Sequence, residues 1–398
     1  MTKDTSKPYG PEAPTLPTSL EMVIRSRARS WIERIIADEL ETVVAAKPSA
    51  RVAGRRGYRH GTRERTLTTS LGPTTIAMPR ARLQHADGST TEWQSQAVRR
   101  YQRRTELVDE TVLGVYLSGT NTRRIKGALA PLLRGGPLSK DAVSRLVGRL
   151  AADFETWRAR DLAEDAIQYL ILDGWFPKVR IGKRRERVPV LVTLGVRADG
   201  ERVILDVRLA GDESTAAWRD VIRSLVERHV GTPALAIIDG SAGLAAALRE
   251  QWPALAIQRC TTHKLRNLEA KAPVRLREEL AEDYRRMVYA DSRALVDQAR
   301  TRFIRKWKLR CPAVVDGLEE AGDDLFTFLR FPKAQWKALR TTNALERINL
   351  EFRRRTKTQA SLPGHDAVLL LLFGLLRSGQ VKLRKIDGWQ EMKHPKAA

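Results

Sequence analysis

Hydrophobic spacing switches between helical and strand-like periods along the chain, and the switches mark its segments. From residue 20 to 46 (LEMVIRSRARSWIERIIADEL into ETVVAA), Ile24, Ala28, Trp31 and Ile35 recur at i, i+4, i+7 and i+11, with Ile32 and Ile36 widening the stripe. That spacing predicts one amphipathic helix with this stripe buried. Residues 51–104 instead alternate Thr, Leu and Ile around a Gly-Pro pair, which predicts short strands. Three helices follow. The first runs through Val112, Val115 and Tyr116; Thr122 caps the second, RRIKGALAPLL; Ser139 caps the third, KDAVSRLVGRL.

From about residue 166 the pattern is mixed. AIQYLILDGW, VPVLVTLGV and RVILDVRLA predict three strands, separated by the polar turns GKRRER and RADGER. WRDVIRSLVERHV reads as a helix, ALAIIDG as a fourth strand, SAGLAAALREQW as a helix and ALAIQRC as a fifth strand. A doubly wound nucleotide fold would alternate from the start, so this order excludes it. The order resembles the ribonuclease H-like fold, in which the first and fourth strands are neighbours. Asp173 and Asp239 then meet at one end of the sheet. Beyond Cys260 the spacing is helical until TTNALERINLEFRRRTK opens a new helix at about residue 341.

The predicted class is therefore α/β, a ribonuclease H-like mixed sheet interrupted by an all-α insertion. A helical region whose capped pair and Gly-Gly-Pro turn resemble a helix-turn-helix precedes it. The expected divisions are a leader and helix (1–50), an Arg-rich strand segment (51–104), the helix-turn-helix-like domain (105–160), the first part of the core (161–265), the insertion (266–340), and closing helices with a tail (341–398).

Composition narrows the partners. The net charge is +24 over 398 residues, and 51–104 alone carries 12 Arg against Glu64, Asp87 and Glu92. Such an excess beside a real core points to an anionic polymer, because neutralising phosphates releases counterions. The longest apolar run, Val368–Leu376, is far short of the roughly 20 residues that span a bilayer, so no membrane role is expected. Two cysteines and a leader without an apolar core predict a reducing cytoplasm. There is no G-x-x-x-x-G-K-[ST], hence no expected ATP. IDGSAG is not a nucleophile elbow, since Asp239 takes the first glycine's place.

The candidate chemistry lies in two Asp-Gly pairs, each closing an apolar run: Asp173-Gly174 and Asp239-Gly240. One strand-end aspartate is more often structural than catalytic, and Asp239 could simply cap the helix near Ser241. Two at adjacent strand ends repel and need a cation or a shared proton. Two Mg²⁺ ions, with Mn²⁺ as substitute, suit oxygen ligands and in-line displacement at a phosphodiester. Glu346 is the best third acid. Thr342 or Asn343 can cap its helix, Leu345, Ile348 and Phe352 form a buried stripe, and Asn343, Glu346, Asn349 and Arg353 share a polar face. Arg353, Arg354, Arg355 and Lys357 would then reach a phosphate backbone. Asp206 lies mid-strand, while Asp212, Glu213 and Glu278 lie in turns or the insertion, so none of these competitors is as well placed.

RYQRRTELVDETVLGVYLSGTNTRRI, YLILDGWFPKVR, GDESTAAWRDVIRSL, IIDGSAGL, QRCTTHKLRNL and TTNALERINLEFRRRTK together resemble bacterial insertion-sequence transposases of the Mutator-like family, from about residue 20 to 390. The resemblance implies an Asp-Asp-Glu triad on Asp173, Asp239 and Glu346, a helical insertion at 266–340, and a Cys-x-x-His signature on Cys260 and His263. It implies DNA transposition: binding of terminal inverted repeats in double-stranded DNA, cleavage, and strand transfer into target DNA by a homodimer or larger assembly near the nucleoid. Arg123, Arg124, Lys126 and Arg145 are the expected DNA contacts of the helix-turn-helix. A structural zinc at Cys260 and His263 would need two more ligands, for which only Cys311, His229 and His365 are available, so packing or DNA contact near the active site is favoured, with a proton shuttle at His263 left open. Two alternatives stay open: a catalytically inactive DNA-binding protein derived from a transposase, and a hydrolysis-only relative of the fold.

Overall fold

The computed structural model describes residues 20–118, 120, 124–134, 138–181, 183–211, 213–358, 362, 364–379 and 381–393, with the backbone alone at 21, 356–358 and 393. The chain forms two compact units, residues 1–116 with 122–146, and residues 117–121 with 147–398.

In the first unit, helix α1 (Leu20–Val44) covers an antiparallel hairpin of β1 (Gly57–Thr69) and β2 (Gly72–Gln84), extended by β3 (Thr90–Glu92). The strands are longer than the predicted short ones because the two-residue turn at Ser70-Leu71 keeps both arms in register from Thr69↔Gly72 out to Gly57↔Leu83, through one irregularity near Arg59. The buried stripe of α1 also differs from the expected one. Ile36, Leu40 and Val44 are buried against Leu67, Ile76 and Met78, whereas Ile24, Trp31 and Ile35 are exposed. The hairpin selects the i+4 series that continues beyond Ile36 and fastens that side through Glu33, whose carboxylate accepts the Ala77 N–H at 2.8 Å.

Helices α2 (Glu106–Leu117), α3 (Ile125–Ala128), α4 (Ala130–Leu133) and α5 (Lys140–Arg158) follow. The second predicted helix breaks into α3 and α4 at Leu129, because Pro131 in the first turn of α4 lacks an N–H to donate. Its expected cap, Thr122, lies outside the described residues. Ser139 caps α5 as expected, with Oγ 3.1 Å from the Ala142 N–H.

The second unit is built on a five-stranded mixed sheet. Its strands are β4 (Ile167–Trp175), β7 (Val190–Arg197), β8 (Arg202–Leu209), β9 (Leu235–Ile238) and β10 (Ala256–Arg259), in the order β10-β9-β4-β7-β8. β4, β7 and β8 form the antiparallel meander, and β9 runs parallel to both β4 and β10. Between β4 and β7 a small hairpin forms from β5 (Lys178–Ile181) and β6 (Arg184–Arg187), so most of the predicted GKRRER turn is strand.

Helices α6 (Thr215–Glu227) and α7 (Ala242–Gln251) cover one sheet face. Trp218, Val221, Ile222 and Leu225 of α6 and Leu244 and Leu248 of α7 pack on Leu170, Leu172, Ala236 and Ile238. Helices α8 (Thr261–Lys271), α9 (Arg277–Val288), α10 (Arg293–Arg310), α11 (Pro312–Glu319) and α12 (Trp336–Leu339) make the helical stretch, before α13 (Asn343–Thr358) and α14 (Asp366–Arg377). The predicted stripe of α13 is buried: Leu345, Ile348 and Phe352 are each at most 1 % exposed. The apolar run of α14 is a buried helix, and no helix among the described residues is long and apolar enough to cross a membrane.

Candidate active site at the sheet end

Asp173 and Asp239 are brought together by strand register. Leu172↔Ile238 is the last pair of the parallel β4/β9 ladder, so the two aspartates are the next residues along these neighbouring strands. Neighbouring strands lie about 5 Å apart. Asp173 is 6 % exposed, and among the described residues no hydrogen bond or ion pair reaches its carboxylate. Asp239 is half-buried and accepts the Ser241 N–H at 2.9 Å. It is not the cap of α7, because that place is taken by the Ser241 hydroxyl, which accepts the Leu244 N–H.

Each aspartate is followed by glycine for a different reason. Gly240 adopts φ +113°, the left-handed region that a side chain disfavours. Gly174 makes room for a neighbour: an added Cβ would sit 2.6 Å from Cδ of Glu213, whose carboxyl comes from the loop before α6. Glu213 is thus a third acid at this sheet end, one that sequence reasoning set aside as a turn residue. Its signal was the glycine opposite, which becomes meaningful only once β4 and the loop are folded together.

Burial, with Asp239 and Glu213 close by, pushes Asp173 up to about 7 against the opposing pull of His263. Burial and Asp239 push Glu213 up to about 7 as well, against the opposing pull of the Trp218 indole and His263. His263 is pushed up to about 9, first by the adjacent Cys260 thiol and then by Asp173 and Asp239, against its own desolvation. Cys260 is fully buried at the start of α8, where the Thr342 N–H and hydroxyl approach its Sγ at 3.4 and 3.5 Å. The other candidate zinc ligands are engaged elsewhere: Cys311 beside the Lys271 carbonyl, His229 with Asp161, and His365 with Glu186.

The chain returns to this corner through α13. Thr261 N–H and hydroxyl both bond the Arg340 carbonyl, and Trp175 on β4 meets Phe352 on α13 edge to face at 4.7 Å. Asp173 and Trp175 project from the same sheet face, because side chains alternate along a strand. Glu346, in the first turn of α13, has its Oε1 2.8 Å from Arg266 and 3.6 Å from His263 Nε2. His263 is therefore the residue that neighbours all three predicted acids. Among the described residues no three His, Cys, Asp or Glu side chains are grouped closely enough to hold one ion. Like-charged carboxylates stay apart unless a cation lies between them. The donor set is nonetheless suited to a hard ion: Asp173 has no protein partner, and Glu213 Oε1 is buried without one.

The predicted DNA contacts are scattered. Arg124, Lys126 and Arg145 are exposed on the first unit. Asn349 is buried at 6 %, so in this arrangement it does not face solvent as its predicted polar face required. Phe352 and Ile348 turn that edge of α13 inward. Arg353 lies 5.9 Å from the Trp175 ring, while Arg354 and Arg355 both approach Glu351. Arg123 and the side chain of Lys357 lie outside the described residues.

Residues 12–384 match the Mutator family of transposases. The chain is 32 % identical to the transposase for insertion sequence element ISRM5 of Rhizobium meliloti, over 88 % of this chain and 86 % of that protein. It is 32 % identical to the IS406 transposase of Burkholderia multivorans, over 85 % of each. It is 28 % identical to the transposase for IS256 in transposon Tn4001 of Staphylococcus aureus, over 86 % of each. The chain belongs to the Mutator family of transposases.

Proposed function

We propose that this transposase is an Asp-Asp-Glu enzyme that cleaves the ends of its own insertion sequence and joins them to target DNA, on a ribonuclease H-like core. Asp173, Asp239 and Glu346 would hold two Mg²⁺ ions, or Mn²⁺ in their place. When bound, the ions supply activation of a water or 3′-hydroxyl and stabilisation of the departing oxygen. The observation that carries the reading is the register of β4 and β9, which sets two carboxylates side by side at the sheet end, next to His263 and with no Lys or Arg ion pair to either among the described residues.

The protein's own groups divide the remaining work. Buried Asp173 is oriented by β4, and Asp239 by its bond from Ser241. Glu346 must leave Arg266 to join them, and Arg266, more than half exposed, is then free for a phosphate. His263, next to Glu346, can hold or release a proton at Nε2. Arg124, Lys126 and Arg145, with the Arg-rich hairpin, would bind the terminal inverted repeats in double-stranded DNA. Two ends must be processed together, so a homodimer or larger assembly is the working form.

A nicking assay on end-containing DNA with Mg²⁺ tests this, with Asp239→Asn as control. Strand-specific cuts by the parent and none by the variant are expected, and an added pre-cut 3′-hydroxyl end should be joined to target. A second reading, a DNA-binding protein that no longer cleaves, draws on the Glu346–Arg266 ion pair. Binding without cuts under any divalent ion would establish it instead.

A further inference from the structure

The reaction as proposed assigns Glu346 as the third acid, yet Glu346 is engaged by Arg266, and another carboxylate already lies against the sheet end. We propose that Glu213 is a cation-holding residue of this site, and that the DNA-free protein takes up its first divalent ion through Asp173, Asp239 and Glu213, with Glu346 joining only later. The proposal rests on the preceding reading of the site and deepens it.

Three observations carry it. Gly174 leaves the space that the Glu213 carboxyl fills: an added Cβ would lie 2.6 Å from Cδ and 2.8 Å from both oxygens. Glu213 is only half-buried, but its Oε1 is shut off from solvent and makes no well-formed hydrogen bond even with the Trp218 indole nearby, which is costly unless something else uses that oxygen. And the adjoining Asp173, more than nine-tenths buried, has no protein partner among the described residues either. Asp173 and Glu213 both lie near Asp239, not yet close enough together to grip an ion, and they supply all-oxygen donors that a hard cation can draw together. By strand alternation the Glu213 carboxyl rests on the α6 side of Gly174, the face opposite the Asp173 side chain, so joining the ion means swinging round the sheet end where β9 stops at Ile238. Glu213 also sits directly before Ser214, whose hydroxyl caps α6, so the loop that presents it is fixed by the helix start.

Mn²⁺ binding to the DNA-free, full-length protein, read by electron paramagnetic resonance of the free ion, tests the assignment without requiring turnover. Glu213→Gln should weaken Mn²⁺ binding about 10- to 100-fold, the range seen when groups supporting a metal are lost. Glu346→Gln should leave it unchanged. Gly174→Ala keeps every carboxylate but pushes Glu213 aside, and should weaken binding in the same direction. The thermal midpoint of each variant without Mn²⁺ checks that it is folded. Parent-like Mn²⁺ affinity in folded Glu213→Gln, with Asp239→Asn defective, overturns the role of Glu213 and leaves the proposed function standing. Parent-like affinity in Asp173→Asn and Asp239→Asn as well overturns both.

Discussion

His263 Nε2 lies 3.6 Å from Glu346 Oε1, which joins the start of α8 to the start of α13 across the end of the sheet. The opposite ring nitrogen is 3.4 Å from the Thr342 hydroxyl, and that hydroxyl also meets Cys260. The Cys-x-x-His pair thus acts within one chain of contacts, from the end of β10 to the acid on α13. The spacing has a simple physical basis: residues three apart on a helix start share a face. Cys260 can then be buried against Thr342 while His263 turns toward the carboxylates.

Arg266 competes for Glu346. In that ion pair the Arg266 side chain is 56 % and the Glu346 side chain 32 % exposed, so it is worth only about 0–1 kcal/mol. Arg266→Gln should therefore barely move the thermal midpoint. It should, however, make Mn²⁺ binding in the DNA-free protein sensitive to Glu346, so that adding Glu346→Gln now weakens it about tenfold, within the range for groups supporting a metal. A double-mutant cycle on Mn²⁺ affinity measures this coupling. Additivity would show that Glu346 stays away from the ion even when released.

The pH dependence has one sign. Asp173 rises from 3.8 to about 7 and Glu213 from 4.5 to about 7, so both contribute stability at low pH that is lost as pH climbs to about 7. His263 rises from 6.5 to about 9, so its contribution is complete below 6.5 and lost as pH climbs to about 9. These groups together should lower the unfolding midpoint of chelator-treated protein steadily from pH 5 to 9. His263→Gln should flatten the part above pH 7. Ion binding must displace the shared protons, so Mg²⁺ affinity should increase as pH rises through about 7, checked by calorimetry in two buffers of different ionisation heat.

Much of this site can be read from the sequence, for reasons particular residues make clear. β4 and β9 carry apolar runs because they are buried on both faces, and each run is closed by an aspartate: β9 stops one residue before Asp239, while β4 continues past the buried Asp173 to Trp175. The stripe Leu345, Ile348 and Phe352 fixes how α13 turns. What could not be read was choice between equals. The α1 helix carries two overlapping apolar series, and only the hairpin decides that Ile36 and Leu40 face it while Trp31 does not. Glu213 looks like any acid in a turn until Gly174 is seen beneath it. Asn349 lies on a polar face by spacing, yet tertiary packing buries it.

Phe352→Ala should separate the two kinds of acid. The ring is fully buried and meets Trp175 edge to face, so its removal should cost about 3–5 kcal/mol of the second unit's stability. The damage falls on α13 and hence on Glu346, whereas Asp173 and Asp239 are held by strand pairing. End nicking should be lost while Mn²⁺ binding to the still-folded fraction is retained. Denaturant titration gives the first quantity and paramagnetic resonance at low temperature the second. Equal loss of both would place α13 in the ion site from the outset.

Gly240→Ala sets two effects against each other. The backbone there has φ +113°, where a side chain costs on the order of 1–3 kcal/mol. The new Cβ would also lie 2.6 Å from Arg259 Nη2 and 3.0 Å from Nε. Arg259 is the end of a flexible side chain and can move, although moving weakens its 2.6 Å bond to Glu320, whose carboxyl Arg259 and Lys264 hold down to about 2. Backbone strain cannot be relieved that way, so it should dominate. Combining Gly240→Ala with Arg259→Ala discriminates: dominant strain gives nearly additive losses of stability, whereas a dominant clash makes the second substitution rescue the first. Relaxation of the strained residue must pass to its neighbour Asp239, so nicking should fall further than stability does. Near-parental cutting in a destabilised Gly240→Ala protein would mean that Asp239 is not placed by this turn.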